Sequence, residues 1–240
     1  MRIHSLLLAA TLAIAGATRA SAQPSDLPSR TGPVRAQFDI GLAVAQPLGA
    51  FREYVEIGGG LEGSFIWNLT RDGAWGLRFD GGFLNYGRET KRTRFSNTVG
   101  DRIRVDVNTT NNIGMLGVGP HLQVPHGAIR PYLNGTVGFS YFFTESSVEG
   151  VDDQLDFART TNFSDAAFTY GGGGGLLIPL RVKSAPVSIN VGARFLHNGE
   201  TSYLREGSIT DNPDGTITIS PLKSEVELMV YHLGVNIGIR

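Results

Sequence analysis

The sequence predicts an all-β fold: eight antiparallel strands running up and down and closing into a transmembrane β-barrel. Three observations predict it. Apolar residues recur at period two, not at the helical period, in eight stretches separated by turn residues. The polar faces of those stretches carry almost no Lys or Glu and mix Gly with charges of both signs. Short connections alternate with long polar ones, the rhythm of a barrel standing in a membrane.

Composition excludes several alternatives. The chain has 240 residues, 32 of them Gly, and no Cys. Without Cys there is no disulfide framework, thiolate zinc site, catalytic Cys or lipidated N-terminal Cys. A formal charge of −1 argues against nucleic acid as a partner. No apolar run is long enough for a helical span. At the N-terminus, Arg2, the apolar stretch Ser5 to Ala17 and the small residues Ala20-Ser21-Ala22 read as a signal peptide over 1–22. Residues 23–35 hold prolines without periodicity and read as a flexible arm, leaving 36–240 as the barrel domain.

Strands are expected at about 36–47, 56–69, 74–86, 103–124, 129–143, 165–180, 185–197 and 224–239. The first three set Phe38/Ile40/Leu42/Val44, Ile57/Leu61/Phe65/Trp67 and Trp75/Leu77/Phe79/Phe83 on one face. The Arg71-Asp72-Gly73 turn between the second and third is expected to pair Leu69 with Trp75 around a left-handed Gly73. The fourth strand is ambiguous, because Leu116, Val118 and Leu122 compete with Ile113 and Met115; a bulge near Gly114 is one way to reconcile them. The fifth sets Leu133, Val137, Phe139, Tyr141 and Phe143 on one face, the seventh Val187 to Phe195, and the eighth Met229 to Ile239.

Alternation says only that two faces differ. A soluble, lipocalin-like barrel turns its apolar face inward, whereas a membrane barrel turns it to lipid. The polar face favours the second reading: Asp39, Glu62, Arg78, Asp80, Arg194 and His232 suit a narrow lumen filled by a paired polar network. Aromatic placement agrees. Trp67 and Trp75 flank the short turn, while Phe143, Phe168, Tyr170 and Phe195 are expected near the opposite strand ends, as two interfacial girdles.

The Pro47-Leu48-Gly49-Ala50-Phe51 connection, the Gly58-Gly59-Gly60-Leu61-Glu62-Gly63 stretch and the glycine-rich strand Tyr231 to Ile239 resemble the small outer-membrane β-barrel family, the OmpA transmembrane-domain, OmpX and OmpW group. The resemblance covers about 36–240. It implies an outer-membrane location, insertion by the barrel assembly machinery and structural, adhesive or stress-related surface roles. The chain departs from the family in ending Ile239-Arg240, without the usual terminal aromatic.

Other motifs yield to plainer readings. Gly58 to Gly63 matches a dinucleotide fingerprint, but a strand pattern runs through it where a helix should begin. Gly171 to Gly175 lacks the Lys-Ser/Thr of a phosphate loop. His121 and His126 are separated by a turn with no carboxylate alongside, so no metal is expected. Asp211 to Gly215 reads as the turn of a hairpin over 208–219 projecting above the membrane, not as a calcium loop. Around His197 the segment loosely resembles an outer-membrane lipid A deacylase, yet Gly199 stands where the nucleophilic Ser belongs.

Charge divides between the long connections. Arg88, Lys91, Arg92 and Arg94 make a basic patch, and Glu145, Glu149, Asp152, Asp153 and Asp156 an acidic stretch. The expectation is therefore an outer-membrane barrel without cofactor or catalysis, whose long extracellular loops carry a structural or interaction role. Membrane lipid is the expected partner, and lipopolysaccharide phosphate a candidate contact for the basic patch. The alternatives are a small-solute or hydrophobic-compound channel, a soluble binding barrel and a lipid A-modifying barrel enzyme.

Overall fold

The computed structural model describes residues 34–94, 104–150, 156–180, 186–212, 214 and 216–239. The expected signal peptide, most of the arm and the Arg181–Ser184 turn lie outside them. Eight strands close a barrel: β1 (Ala36–Leu48), β2 (Gly58–Asn68), β3 (Trp75–Arg94), β4 (Arg104–Gln123), β5 (Arg130–Gly150), β6 (Asp156–Leu180), β7 (Val187–Tyr203) and, after a small hairpin of β8 (Ile209–Asp211) and β9 (Ile217–Ile219), β10 (Leu222–Ile239). The order around the wall is β1-β10-β7-β6-β5-β4-β3-β2, all neighbours antiparallel. First and last strands close the sheet from Ala36↔Ile239 to Leu48↔Glu227.

The period-two pattern sorts side chains as a barrel requires. Phe38, Ile40, Leu42, Leu61, Phe79, Leu133, Phe139, Leu233 and their like point outward and are exposed, while polar residues of the same strands are buried inside. The outward apolar run from Leu133 to Phe143 matches the roughly 9–11 residues a tilted strand needs to cross a bilayer. At the short turn, Gly73 has φ 76 and the Leu69 N–H donates to the Trp75 carbonyl at 2.8 Å, the expected pairing. Gly58 to Gly60 lies within continuous strand β2.

Two expectations are corrected. Within the long connections from Tyr86 to Arg104 and from Thr144 to Asp165, the described residues 87–94, 145–150 and 156–164 are strand. β3 runs to Arg94, β4 starts at Arg104, and β5 and β6 reach 21 and 25 residues, about twice a membrane crossing. Their polarity suggested loops. Their β-branched content (Thr90, Thr93, Val105, Val107, Thr109, Val148, Thr160) favours strand, and antiparallel pairing through Arg94↔Arg104 and Val105↔Gly150 supplies the ladder. Four strands thus rise above the others as one raised wall. In β4, no bulge occurs at Gly114; the register shift sits opposite, between Asn85 and Gly87 of β3. Ile113 and Met115 are buried inside the barrel, whereas Leu116 and Leu122 point outward. Both apolar sets were correctly seen, but they occupy opposite faces.

Candidate functional site: the layered lumen and the raised wall

The lumen is filled in three layers. At the lower mouth, the Gln37 amide donates to Asn68 and Gln123, each at 3.2 Å, and Asn68 donates to the Val34 carbonyl at 2.9 Å. His121, raised above as half of a metal pair, is buried here and its Nε2 lies 3.2 Å from the Gln123 oxygen. His126 lies in the turn between β4 and β5. Among the described residues no three metal-ligating side chains converge.

Above this lies an ionic layer that brings all six lumen residues together. Arg78 Nε donates to Asp80 at 2.6 Å. Arg194 donates to Glu62 and stands 3.5 Å from Asp80. His232 lies 2.7 Å from Asp39 on one side and 3.7 Å from Glu62 on the other. Asp39 also accepts from the Asn190 amide at 2.9 Å, and Asn190 accepts from the Tyr132 hydroxyl at 2.9 Å. The chain of contacts therefore links β1, β2, β3, β5, β7 and β10. Glycine makes room for it: a Cβ on Gly173 would sit 2.5 Å from the Arg194 Cβ. Buried charges persist only when paired in this way. Tyr132 was not singled out in the sequence, although its inward parity beside outward Leu133 marks it.

The third layer is apolar and was missed. Ala43, Leu84, Ile113, Met115, Phe142, Leu196, Val226, Leu228 and Val230 form one buried cluster with Phe51, Tyr86 and Tyr203. Phe51 comes from a 3-10 turn, Gly49–Glu53, between β1 and β2. Its ring packs edge-on against Tyr86 at 5.4 Å and Tyr203 at 4.9 Å. The signal was present as breaks in alternation: Tyr141-Phe142-Phe143 and Leu228-Met229-Val230 are apolar on both faces.

The barrel exterior carries the residues expected as girdles. Trp67 and Trp75 are exposed beside the short turn. Phe143, Phe168, Tyr170 and Phe195 fall in mid-strand, not near strand ends, because β5, β6 and β7 continue past them. His197 also faces outward, 3.4 Å from Glu227 and with its ring 4.9 Å from that of Tyr170. Gly199 stands two positions on, where the lipid A deacylase motif has its nucleophilic Ser.

On the raised wall, opposite charges pair within hairpins. Arg92 makes two hydrogen bonds to Asp106, at 2.8 and 3.1 Å, and Arg159 stands 3.9 Å from Glu145. Side-chain hydrogen bonds link the strands: Thr90 with Asn108, Thr109 with Ser146, and Thr144 with Asn111. Arg92 beside Asp106 holds that carboxyl below the usual aspartate range, chiefly through the hydrogen bond. Arg88 is exposed; the side chain of Arg94 lies outside the described residues.

The β8–β9 hairpin forms, with Ile209↔Ile219 in register, but it is tied to β3. Lys91 donates to the Ile209 carbonyl at 3.2 Å and lies 3.8 Å from Asp211, and the Gly207 N–H donates to Glu89 at 3.1 Å. The hairpin is thus docked on β3, and Lys91 of the basic patch, although exposed, is paired within the molecule.

No family model and no curated protein matches the chain. Among solved structures, it is similar to the attachment invasion locus protein Ail of Yersinia pestis, at 12% identity and TM-score 0.42, covering 85% of this chain and 97% of that one. It is also similar to Neisserial surface protein A, at 13% identity and TM-score 0.40, covering 87% and 100%. A third likeness is to a major outer membrane protein of Thermus thermophilus, at 14% identity and TM-score 0.41, covering 85% and 99%.

Proposed function

We propose that the chain is an integral outer-membrane barrel with a sealed lumen, and that its role, structural or in surface interaction and without catalysis, belongs to the raised β3–β6 wall. The observation that carries this reading is the division of each tall strand. β5 is apolar on its outer face from Leu133 to Phe143 and then polar on both faces, so the sheet leaves hydrocarbon and continues into water. Trp67 and Trp75, exposed beside the short turn, suit one interface. A filled lumen agrees, since eight strands enclose only enough width for side chains.

The wall offers a rigid sheet whose ions are mostly paired within it, with Arg88 exposed on its flank. Lipopolysaccharide phosphate is the contact this reading assigns to that flank. The experiment compares the natural chain with Arg88→Glu and with a chain shortened by deletion of 90–108. Retention on lipopolysaccharide-containing vesicles and envelope permeability are the readouts, scored on folded protein only. Weaker retention by both variants supports the reading. Unchanged retention and permeability in both refutes a role for the wall.

A further inference from the structure

We propose that the apolar layer, not the ionic layer, holds the lumen shut, and that Phe51 is its removable stopper on a latent path for small hydrated ions. This goes beyond the surface role and stands on the barrel interior alone. The two layers differ in their capacity to hold water. Around the ionic layer, Arg194 Nε, Asn134 Nδ2, Thr136 Oγ1 and Asp80 Oδ2 are buried without a protein partner. They border two small cavities, one lined by Glu62, Arg78, Asn134 and His232, the other by Asp80, Thr136, Thr169 and Arg194 together with Met115 and Leu196 at the base of the apolar layer, each with room for about one water molecule. Polar atoms beside such spaces are satisfied by water, so this layer is wet and its pairs can exchange partners through water.

Above it the described residues pack closely, and polar side chains such as Ser140, Thr169 and Asn198 are hydrogen-bonded to one another and to the Val226 carbonyl. Phe51, Ile113, Phe142, Val226, Leu228 and Val230 are almost completely buried against one another. A constriction of this kind blocks ions by remaining dry, whatever its charge. Phe51 is also held differently from the rest. Apart from Val55, in the same connection, the other members are anchored on barrel strands, whose ladders fix them. Phe51 comes from a five-residue 3-10 turn whose backbone bonds are local, its carbonyl accepting from the Tyr54 and Val55 N–H groups. It is seated by two ring contacts, and β2 offers only Gly58 and Gly60 inward opposite Ala45 and Ala43, which leaves the space it fills.

The absence of Cys from the sequence makes a direct test available. Ser64 is buried in the ionic layer, facing Asp39 and Asp80 in register, so Ser64→Cys is a near-isosteric reporter. Intact cells carrying the full chain are treated with a small, charged, membrane-impermeant thiol reagent, and labelling is scored only in protein that runs as the folded, heat-modifiable species. Ser64→Cys alone should label slowly. Adding Phe51→Ala, or independently Leu228→Ala, should raise the rate about tenfold or more, whereas adding Arg194→Met should not. Single-channel recordings of the purified Phe51→Ala protein should show openings that Phe51→Leu lacks. Fast labelling without any second substitution, or acceleration by Arg194→Met but not by Phe51→Ala and Leu228→Ala, overturns the proposal.

Discussion

Replacing Arg194 with Met removes one cation that two buried carboxylates share. In the native barrel, its guanidinium donates to Glu62 and stands 3.5 Å from Asp80, and all three side chains are less than a tenth exposed. After the substitution Glu62 keeps only His232, 3.7 Å away, while Asp80 keeps Arg78 at 2.6 Å. Breaking a buried pair from one side costs about 3–5 kcal/mol, because a desolvated charge is left behind. With a urea dependence of about 1–3 kcal/mol per molar, the unfolding midpoint should fall by roughly 2 M. The assay is urea titration of protein refolded into lipid vesicles, followed by the gel-mobility change between folded and unfolded forms. Adding Glu62→Gln to Arg194→Met removes the stranded charge, so the double variant should recover a large part of the loss, with a coupling of about 2–3 kcal/mol. A single-variant cost below about 1 kcal/mol, or a double variant no better than the sum of singles, would refute the paired-layer account.

Three further outcomes follow from the same structure. Phe139→Arg, on the outward face, should cost about 2–4 kcal/mol in a bilayer by the same titration, whereas in a water-exposed sheet it would cost almost nothing. Gly73→Ala should lose about 1 kcal/mol, because φ 76 places a Cβ in the left-handed region; a neutral result would show that the turn relaxes. Arg92 holds the Asp106 pKa down, so this pair supports the β3–β4 tip at neutral pH and the support is lost as pH falls below about 4, through the lowered folded-state value. Hydrogen exchange of the Arg92 and Asp106 amides should therefore accelerate on acidification in the natural chain, beyond the intrinsic pH effect, and Asp106→Asn should abolish that excess.

The sequence made the barrel legible because period-two alternation reports the two faces directly. Phe38 to Val44 and Tyr231 to Ile239 keep strict alternation, and their orientation in the structure follows. The ionic residues were legible for a related reason: an Arg such as Arg194 or Arg78 on the small-residue face of a strand has no solvent to reach. Where two rules overlapped, the reading failed. Ile113 and Met115 looked like misplaced outward residues because a polar lumen was assumed throughout, whereas the upper lumen is apolar. The upper parts of β3, β5 and β6 were read as loops because Thr, Ser and Asn serve both turns and solvated strands, and only cross-strand pairing such as Ser146 with Asn162 decides between them. The capture of Lys91 by the β8–β9 hairpin depends on contacts between residues more than a hundred positions apart, which no local pattern encodes.

The central claim is that the exposed apolar face meets hydrocarbon, and the two tryptophans test it most directly. Trp67 and Trp75 are the only tryptophans in the sequence, and both point outward at the same rim. Their fluorescence should be quenched by lipids brominated on the acyl chain, most strongly when bromine lies near the headgroup, and should resist aqueous iodide. Strong quenching by iodide with none from brominated lipid would place that face in water and contradict the account.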